Sequence, residues 1–316
     1  MNPRASDSAV IKSPDRPAIE VAMKICLTWI VLLLFAVPIS AQPVVDPSDL
    51  DMDGKPGVAE VPAIANEQIP SVLVGTGTLL IDRSHGNGFN VGGFTSYLSA
   101  NGWVVSDFTV GPITESALDG IDVLMVPTRS AGLGPIFPFS TAEVAAVQSF
   151  LSKGKGLWVL HDNDDPSGVN TLSTSFGVTF RYDFVRDPSN NEGELYWPTV
   201  YLLGDHPVME GVTSYGYYLG DCLTIETPAS MLAQGDNDAY SLYCPAGTLP
   251  SVMAAWQNSG RALFAGDITT LHPSYYPSLL RAEEQLLLQN IANWLLGPPP
   301  NAVETETWGR VKARFR

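Results

Sequence analysis

The sequence predicts a layered α/β/α domain on a mostly parallel sheet, closed by a C-terminal β-hairpin and helix. Three observations predict it. Short, wholly apolar runs alternate with helical patterns between residues 71 and 297, as buried strands covered on both faces do. Polar residues, three of the chain's four histidines among them, follow these runs. Apolar residues make up 45% of the chain, enough for a substantial core and too many for a disordered polymer.

The elements follow in order. Leu79-Leu80-Ile81 is a strand ending at Asp82, and a helix is expected from Phe89 to Asn101, stopped by Gly102. Trp103-Val104-Val105 and Val123-Leu124-Met125-Val126 are the next strands. Ser140-Thr141-Ala142-Glu143 has the spacing of a capping box, with Phe139 and Val144 placed for a hydrophobic staple. That helix runs to Lys153 and stops at Gly154. Leu157-Trp158-Val159-Leu160 is a buried strand, and Leu172 to Phe176 belongs to a short helix ending at Gly177. Arg181 to Asp221 is an aromatic-rich insertion without a clear pattern. Ser251–Trp256 and Arg261–Ala265 form a hairpin through Gln257-Asn258-Ser259-Gly260. Ala282 to Leu296 is a helix, with Glu283 and Glu284 favouring its N-terminus, Leu287, Ile291, Trp294 and Leu295 on its apolar face, and Gly297-Pro298 as its stop.

Both ends differ from this body. Met23-Lys24, the apolar run Ile25–Val37 and Ser40-Ala41-Gln42 have the order of a signal peptide cleaved after Ala41, behind an upstream lead of 22 residues. A run of thirteen residues falls short of the roughly 20 that span a bilayer. The alternative is an uncleaved anchor. Cys26 is not at the cleavage point, so no lipoprotein anchor is read. The expected location is extracytoplasmic, periplasmic or secreted. Residues 1–41 carry four bases and three acids, so the remainder holds 13 bases and 30 acids. The whole chain, at −16, is unsuited to nucleic acid, which wants clustered Lys and Arg. Residues 42–70 form an acidic, Pro-rich linker, and residues 298–316 a second linker and tail; both are expected to lack regular structure.

The linker carries one pattern of its own. Asp49, Asp51, Asp53, Gly54 and Glu60 match positions 1, 3, 5, 6 and 12 of a calcium loop, which would make Ca2+ a cofactor. Pro56 and non-helical flanks count against it, and the alternative is a solvated acidic linker. In the tail, Trp308, Val311 and Phe315 fall at helical spacing beside Arg310, Lys312, Arg314 and Arg316. Such a segment suits an anionic envelope surface, the acidic body or a sorting role; otherwise it is a frayed end. Cys222 and Cys244, the pair left after cleavage, either form a disulfide or stay as buried thiols.

In an open α/β sheet ligands lie beyond the carboxyl ends of the strands. The residues there are Asp82, His85 and Asn87 after the first strand, Thr128 and Arg129 after the third, His161, Asp162 and Asp164 after the fourth, and Asp267 and His272 after the last. They are expected to converge on a ligand in a polar cleft; the plainer alternative is that they cap turns. A metal held by the rim has no short-spaced HxH or HExxH pair behind it, though ligands from separate loops would not need one. No Cys follows the third or fourth strand, Gly-x-Ser-x-Gly is absent, and Gly75-Thr76-Gly77 precedes a strand instead of following one.

Several stretches carry a family resemblance. They are Ile81-Asp82-Arg83-Ser84-His85-Gly86-Asn87, Gly111-Pro112-Ile113-Thr114, Asp187-Pro188-Ser189-Asn190-Asn191-Glu192-Gly193 and Asp205-His206-Pro207-Val208-Met209-Glu210-Gly211-Val212. The ending Gly260-Arg261 to Gly266-Asp267, then a helix with Asn290 and Trp294-Leu295, belongs with them. Together they resemble a prokaryotic domain family of unknown function with the class I glutamine-amidotransferase-like fold. Similar domains occur in gliding-motility transporter accessory proteins, an intraflagellar transport subunit and an oligosaccharyltransferase subunit. The resemblance covers residues 71–297 and implies flavodoxin-like layering. It matches Asp82, His85, Gly86, Asn191, Asp205, His206, Pro207 and Asp267. The Cys of the amidotransferase Cys–His–Glu triad has no counterpart, so that activity is not implied. The expectation is an exported, non-catalytic binding or scaffold domain for a glycan or an envelope partner at the carboxyl edge. The alternatives are a hydrolase using His85, His161, Asp162 and Asp267, with or without a metal, and a structural envelope component.

Overall fold

The computed structural model describes residues 75–128, 137–162, 164–244, 248–274 and 282–297. The cleavage point, the acids of the 49–60 stretch, Arg129 and the basic tail lie outside the described residues.

In chain order the elements are β1 (Thr78–Asp82), α1 (Gly92–Ala100), β2 (Val104–Phe108), β3 (Val123–Thr128), α2 (Thr141–Ser152), β4 (Gly156–His161), α3 (Ser167–Ser173) and β5 (Val178–Phe184). Then come β6 (Thr199–Val200), β7 (Leu202–Leu203), β8 (Tyr215–Gly216), β9 (Asp221–Ile225), β10 (Ser230–Gln234), β11 (Ser251–Gln257), β12 (Arg261–Ala265) and α4 (Ala282–Leu296). Five strands form the parallel half of the sheet, in the order β2-β1-β3-β4-β12. From β12 the sheet continues antiparallel through β11, β10 and β7, while β9 pairs with both β11 and β5. β6 and β8 form a separate ribbon.

The apolar runs are continuous because each residue has a layer to enter. Leu79, Ile81, Val123, Met125, Trp158, Leu160, Leu263 and Ala265 meet Phe94 and Leu98 of α1 and Leu287, Ile291, Trp294 and Leu295 of α4. The alternate residues Leu80, Leu124, Val126, Leu157, Val159, Ala262 and Phe264 meet Val147, Phe150 and Leu151 of α2 and Val169 and Leu172 of α3. A period of two thus feeds two cores, giving the α/β/α layering.

The capping box forms: Ser140 Oγ accepts from the Glu143 amide, and Glu143 Oε2 accepts from the Ser140 amide at 2.9 Å. The first helix begins at Gly92, not Phe89. Arg83 Nη1 holds the Asn87 and Phe89 carbonyls at 3.1 and 2.6 Å, and Asn90 Oδ1 accepts the Gly92 amide, so this stretch is fixed as a loop. The helix to which Leu172–Phe176 belongs starts at Ser167 and ends in a 3-10 turn over Thr174–Phe176, where Gly177 takes φ 81°. The hairpin β11–β12 closes with the Asn258 amide donating to the Gly260 carbonyl. Among the described residues no helix is long and apolar enough to cross a membrane.

Candidate functional site

The carboxyl ends of β1, β3, β4 and β12 lie along one edge of the sheet. There the polar residues form two networks.

The first sits after β1. Asp82 accepts from the Ser84 amide and hydroxyl at 2.9 and 2.7 Å, from Asn87 Nδ2 at 3.0 Å and from His85 Nδ1 at 2.8 Å. On its far side His85 Nε2 lies 3.2 Å from Glu143 Oε1 at the start of α2, and its ring stacks on Phe139 with centroids 3.8 Å apart. Both ring nitrogens therefore face carboxylates, which only accept, so the geometry favours the imidazolium. Burial works to depress the imidazole, but bonding and charge from Asp82 and Glu143 outweigh it and raise the pKa above its ordinary value. Burial works to raise Glu143; the Ser140 and Ile113 amides, the Ser140 hydroxyl and His85 hold it below the ordinary carboxylate range. The Ile113 amide, 2.9 Å from Glu143 Oε1, ties the Gly111–Thr114 stretch to the same carboxylate.

The second network follows β4 and β12. His161 and Asp221 are fully buried, and His161 Nδ1 donates to Asp221 Oδ2. His161 Nε2 is buried without a hydrogen-bond partner. Beside it Thr269 Oγ1 donates to Asp162 Oδ2 at 3.0 Å. Asp267 accepts the Tyr218 amide at 2.9 Å and the Thr269 amide at 2.7 Å. Burial pushes Asp267 up to about 7 against those amides, and the charge of Glu284 adds to the rise. Glu284, expected only to favour a helix start, is buried and accepts the Gly216 amide at 2.6 Å. Between these carboxyls lies a cavity of about 30 Å³, lined by Trp158, Tyr215, Asp267, Glu284, Leu287 and Ile291. It holds about two waters at most.

The segment Tyr215–Asp221 covers this edge. Tyr217 is buried and its hydroxyl donates to the Asp221 carbonyl. The close approach depends on glycine: a Cβ on Gly266 would stand 2.2 Å from both the Tyr217 hydroxyl and the Asp221 carbonyl oxygen, and one on Gly220 would stand 2.4 Å from the Tyr217 ring.

The expected open cleft is therefore corrected to a closed edge. Asp82, His85, Asn87, Thr128, His161, Asp162 and Asp267 share the edge but are buried. Asp82, His85 and Asn87 meet in one network, and His161, Asp162 and Asp267 lie in the other. Thr128 Oγ1 donates to the Leu160 carbonyl at 2.6 Å and ties β3 to β4. Asp164 and His272 have local bonds of their own. Asp164 caps its own turn by accepting the Asp165 amide, and His272 accepts the Ser274 amide and leans on Phe89, with centroids 5.5 Å apart. Glu143, Asp221, Thr269 and Glu284 are partners that sequence reasoning missed as site residues; only Glu143 left a local signal, its capping-box spacing. The structure bridges Cys222 and Cys244, with Cα atoms 6.3 Å apart.

The family-like stretch Asp205–Val212 also serves packing. His206 Nδ1 accepts the Val208 amide, its ring meets Trp294 edge-on at 4.8 Å, and Asn290 Nδ2 donates to the Val208 and Glu210 carbonyls at 3.2 and 2.8 Å.

This layering, strand order and antiparallel extension define a three-layer α/β/α fold on a mostly parallel sheet. Among solved structures the chain is similar to the mmIFT52 N-terminal domain, with TM-score 0.57 and 15% identity over 70% of this chain and 98% of that one. It is also similar to a ThuA-like protein from Bacteroides uniformis, with TM-score 0.45 and 15% identity over 69% of this chain and 90% of that one. A glutamine amidotransferase from Thermotoga maritima matches with TM-score 0.41 and 11% identity over 70% and 98%. Likenesses at such identities concern the fold alone. No family model and no curated protein matches the chain.

Proposed function

We propose that the domain is a non-catalytic binding or scaffold module, exported, that presents its surface to a glycan or an envelope partner. One observation carries this reading: the polar residues of the carboxyl edge are buried, and most of their bonds run to each other or to backbone groups. Groups so engaged order loops; they do not meet substrate. The signal-peptide-like start and the bridged cysteines support export. The binding surface is read at the exposed aromatic loop Tyr240, Leu242 and Tyr243, held in place by Ser241 Oγ and the Leu242 amide donating to Asp183. Exposed rings of this kind stack on sugars or pack against a partner.

A second reading, a hydrolase, rests on His161. Its ring is oriented by Asp221 and leaves Nε2 without a partner, the arrangement of a general base held by a carboxylate. One experiment separates the two. The purified chain is screened on a glycan array and against ester and glycoside chromogenic substrates, alongside Tyr243→Ala and His161→Gln. Retention on glycans lost in Tyr243→Ala and kept in His161→Gln supports the module. Turnover abolished by His161→Gln refutes it.

A further inference from the structure

A set of oxygen donors stands away from the sheet edge, in the insertion. The Arg186 and Tyr240 backbones exchange hydrogen bonds at 2.9 and 2.8 Å, and this bridge sets the Asp187–Gly193 loop beside the Asp236–Ala239 loop. Carboxylate oxygens of Asp187, Asp236 and Asp238 consequently lie within 4.8 Å of one another.

Proximity of acids alone says little. Asp187 adds an independent fact: the residue is 1% exposed, Oδ1 takes the Ser189 and Asn190 amides at 3.0 and 2.7 Å, and Oδ2 is buried with no hydrogen-bond partner. A buried carboxylate oxygen left without a donor is costly, more so beside two further carboxylates. No Lys, Arg or His among the described residues pairs with any of the three; the adjacent Arg186 is spent on Asp183, at 2.9 Å. Neutral groups hold the other two acids in place. Asn190 Nδ2 donates to Asp236 Oδ2 at 2.6 Å, the Tyr201 hydroxyl to the same oxygen at 2.5 Å, and Ser189 Oγ to Asp238 Oδ2 at 2.7 Å. Asp238 is exposed, which gives an ion a way in from solvent.

We infer that Asp187, Asp236 and Asp238 form a calcium site, with Asp187 Oδ2 as its buried ligand and Asp238 at its mouth. The donors are all hard oxygens, with no His or Cys, which selects calcium or magnesium over zinc or copper. Unequal burial and two separate loops suit calcium, which tolerates irregular coordination completed by water, better than magnesium with its strict octahedron. The site pins the insertion loop to the loop that bears the exposed aromatics.

The test uses full-length protein stripped with EGTA and carrying Asp49→Asn, Asp51→Asn and Glu60→Gln, so that the acidic linker cannot contribute. With a site at the weak, extracellular end of the affinity range, about 10 mM CaCl2 raises Tm by about 5 °C. Tb3+ bound there gains emission on excitation of Tyr201 and loses it to added Ca2+. Asp236→Asn removes both responses. Asp238→Asn, on an exposed residue whose change leaves the core intact, weakens both at least tenfold. The inference fails if the linker-silenced protein shows neither response, or if both persist unchanged in Asp238→Asn.

Discussion

Asp267 offers the sharpest physical test of the buried edge. Its carboxyl titrates at about 7 in the folded protein because burial penalises the charge. In an unfolded chain an aspartate titrates near about 3.9. Between those values the folded state holds a proton that the unfolded state has released. Each rising pH unit in that window then costs the fold about 1.4 kcal/mol, or about 4 kcal/mol across all of it. The contribution is complete at the acidic end and lost once pH passes the folded value. Two histidines tilt the same curve. His85, raised by Asp82 and Glu143 against its burial, also loses stabilisation as pH rises. His206, lowered by burial and by Arg261, loses it as pH falls. The difference between wild type and Asp267→Asn cancels both. Asn keeps the size and cannot ionise, and setting its N–H against a backbone N–H costs a pH-independent sum of about 1–3 kcal/mol. Urea denaturation of both proteins from about pH 4 to pH 8 is the assay. The wild-type advantage should fall by about 3–4 kcal/mol across that range. Parallel curves for the two proteins would refute a raised, buried Asp267.

Other perturbations probe the remaining joints. His85→Ala leaves Asp82 and Glu143 buried without their shared cation and should lower unfolding free energy by about 3–5 kcal/mol in urea. His85→Gln should recover part of that loss. Gly266→Ala drives a methyl into the Tyr217 hydroxyl and the Asp221 carbonyl; a loss above about 3 kcal/mol, or insoluble expression, is expected, and a Tm within a degree of wild type would count against the tight closure. Reducing the Cys222–Cys244 bridge, which spans 22 residues, should cost about 3 kcal/mol by loop entropy, read as a lower midpoint in urea with dithiothreitol.

The parts of the fold legible in the sequence are those determined locally. Ser140 and Glu143 sit three residues apart, and Ala282–Leu296 carries its own stripe and stop, so each could be read without knowing its neighbours. The first helix start was misplaced because the Arg83 side chain claims the Asn87 and Phe89 carbonyls, a bond that apolar periodicity does not reveal. The polar residues after the strands could be read along the chain, but their burial could not. Residues 215–221 of the insertion lie over Asp267, and the partner of His161 lies 60 positions away at the start of β9. Period-two patterning says which residues enter a layer; it says nothing of which loop will cover the end of one.

The closed edge also bears on what the residues after the strands are engaged in. Parallel α/β sheets place their sites where loops leave the carboxyl ends, because backbone groups and side chains there are free to meet a ligand. Here that freedom is spent. Asp82 is saturated by four donors, His85 bridges β1 to α2, and Thr128 ties one strand to the next. Asp221, which orients His161, ends the Tyr215–Asp221 segment. The Tyr217–Asp221 contact, the Asp267–Tyr218 bond and the packing that Gly220 and Gly266 permit hold that segment in place. A residue of the insertion thus orients a side chain at the end of a parallel strand, and the segment that carries it is fixed in turn by Asp267 and Gly266.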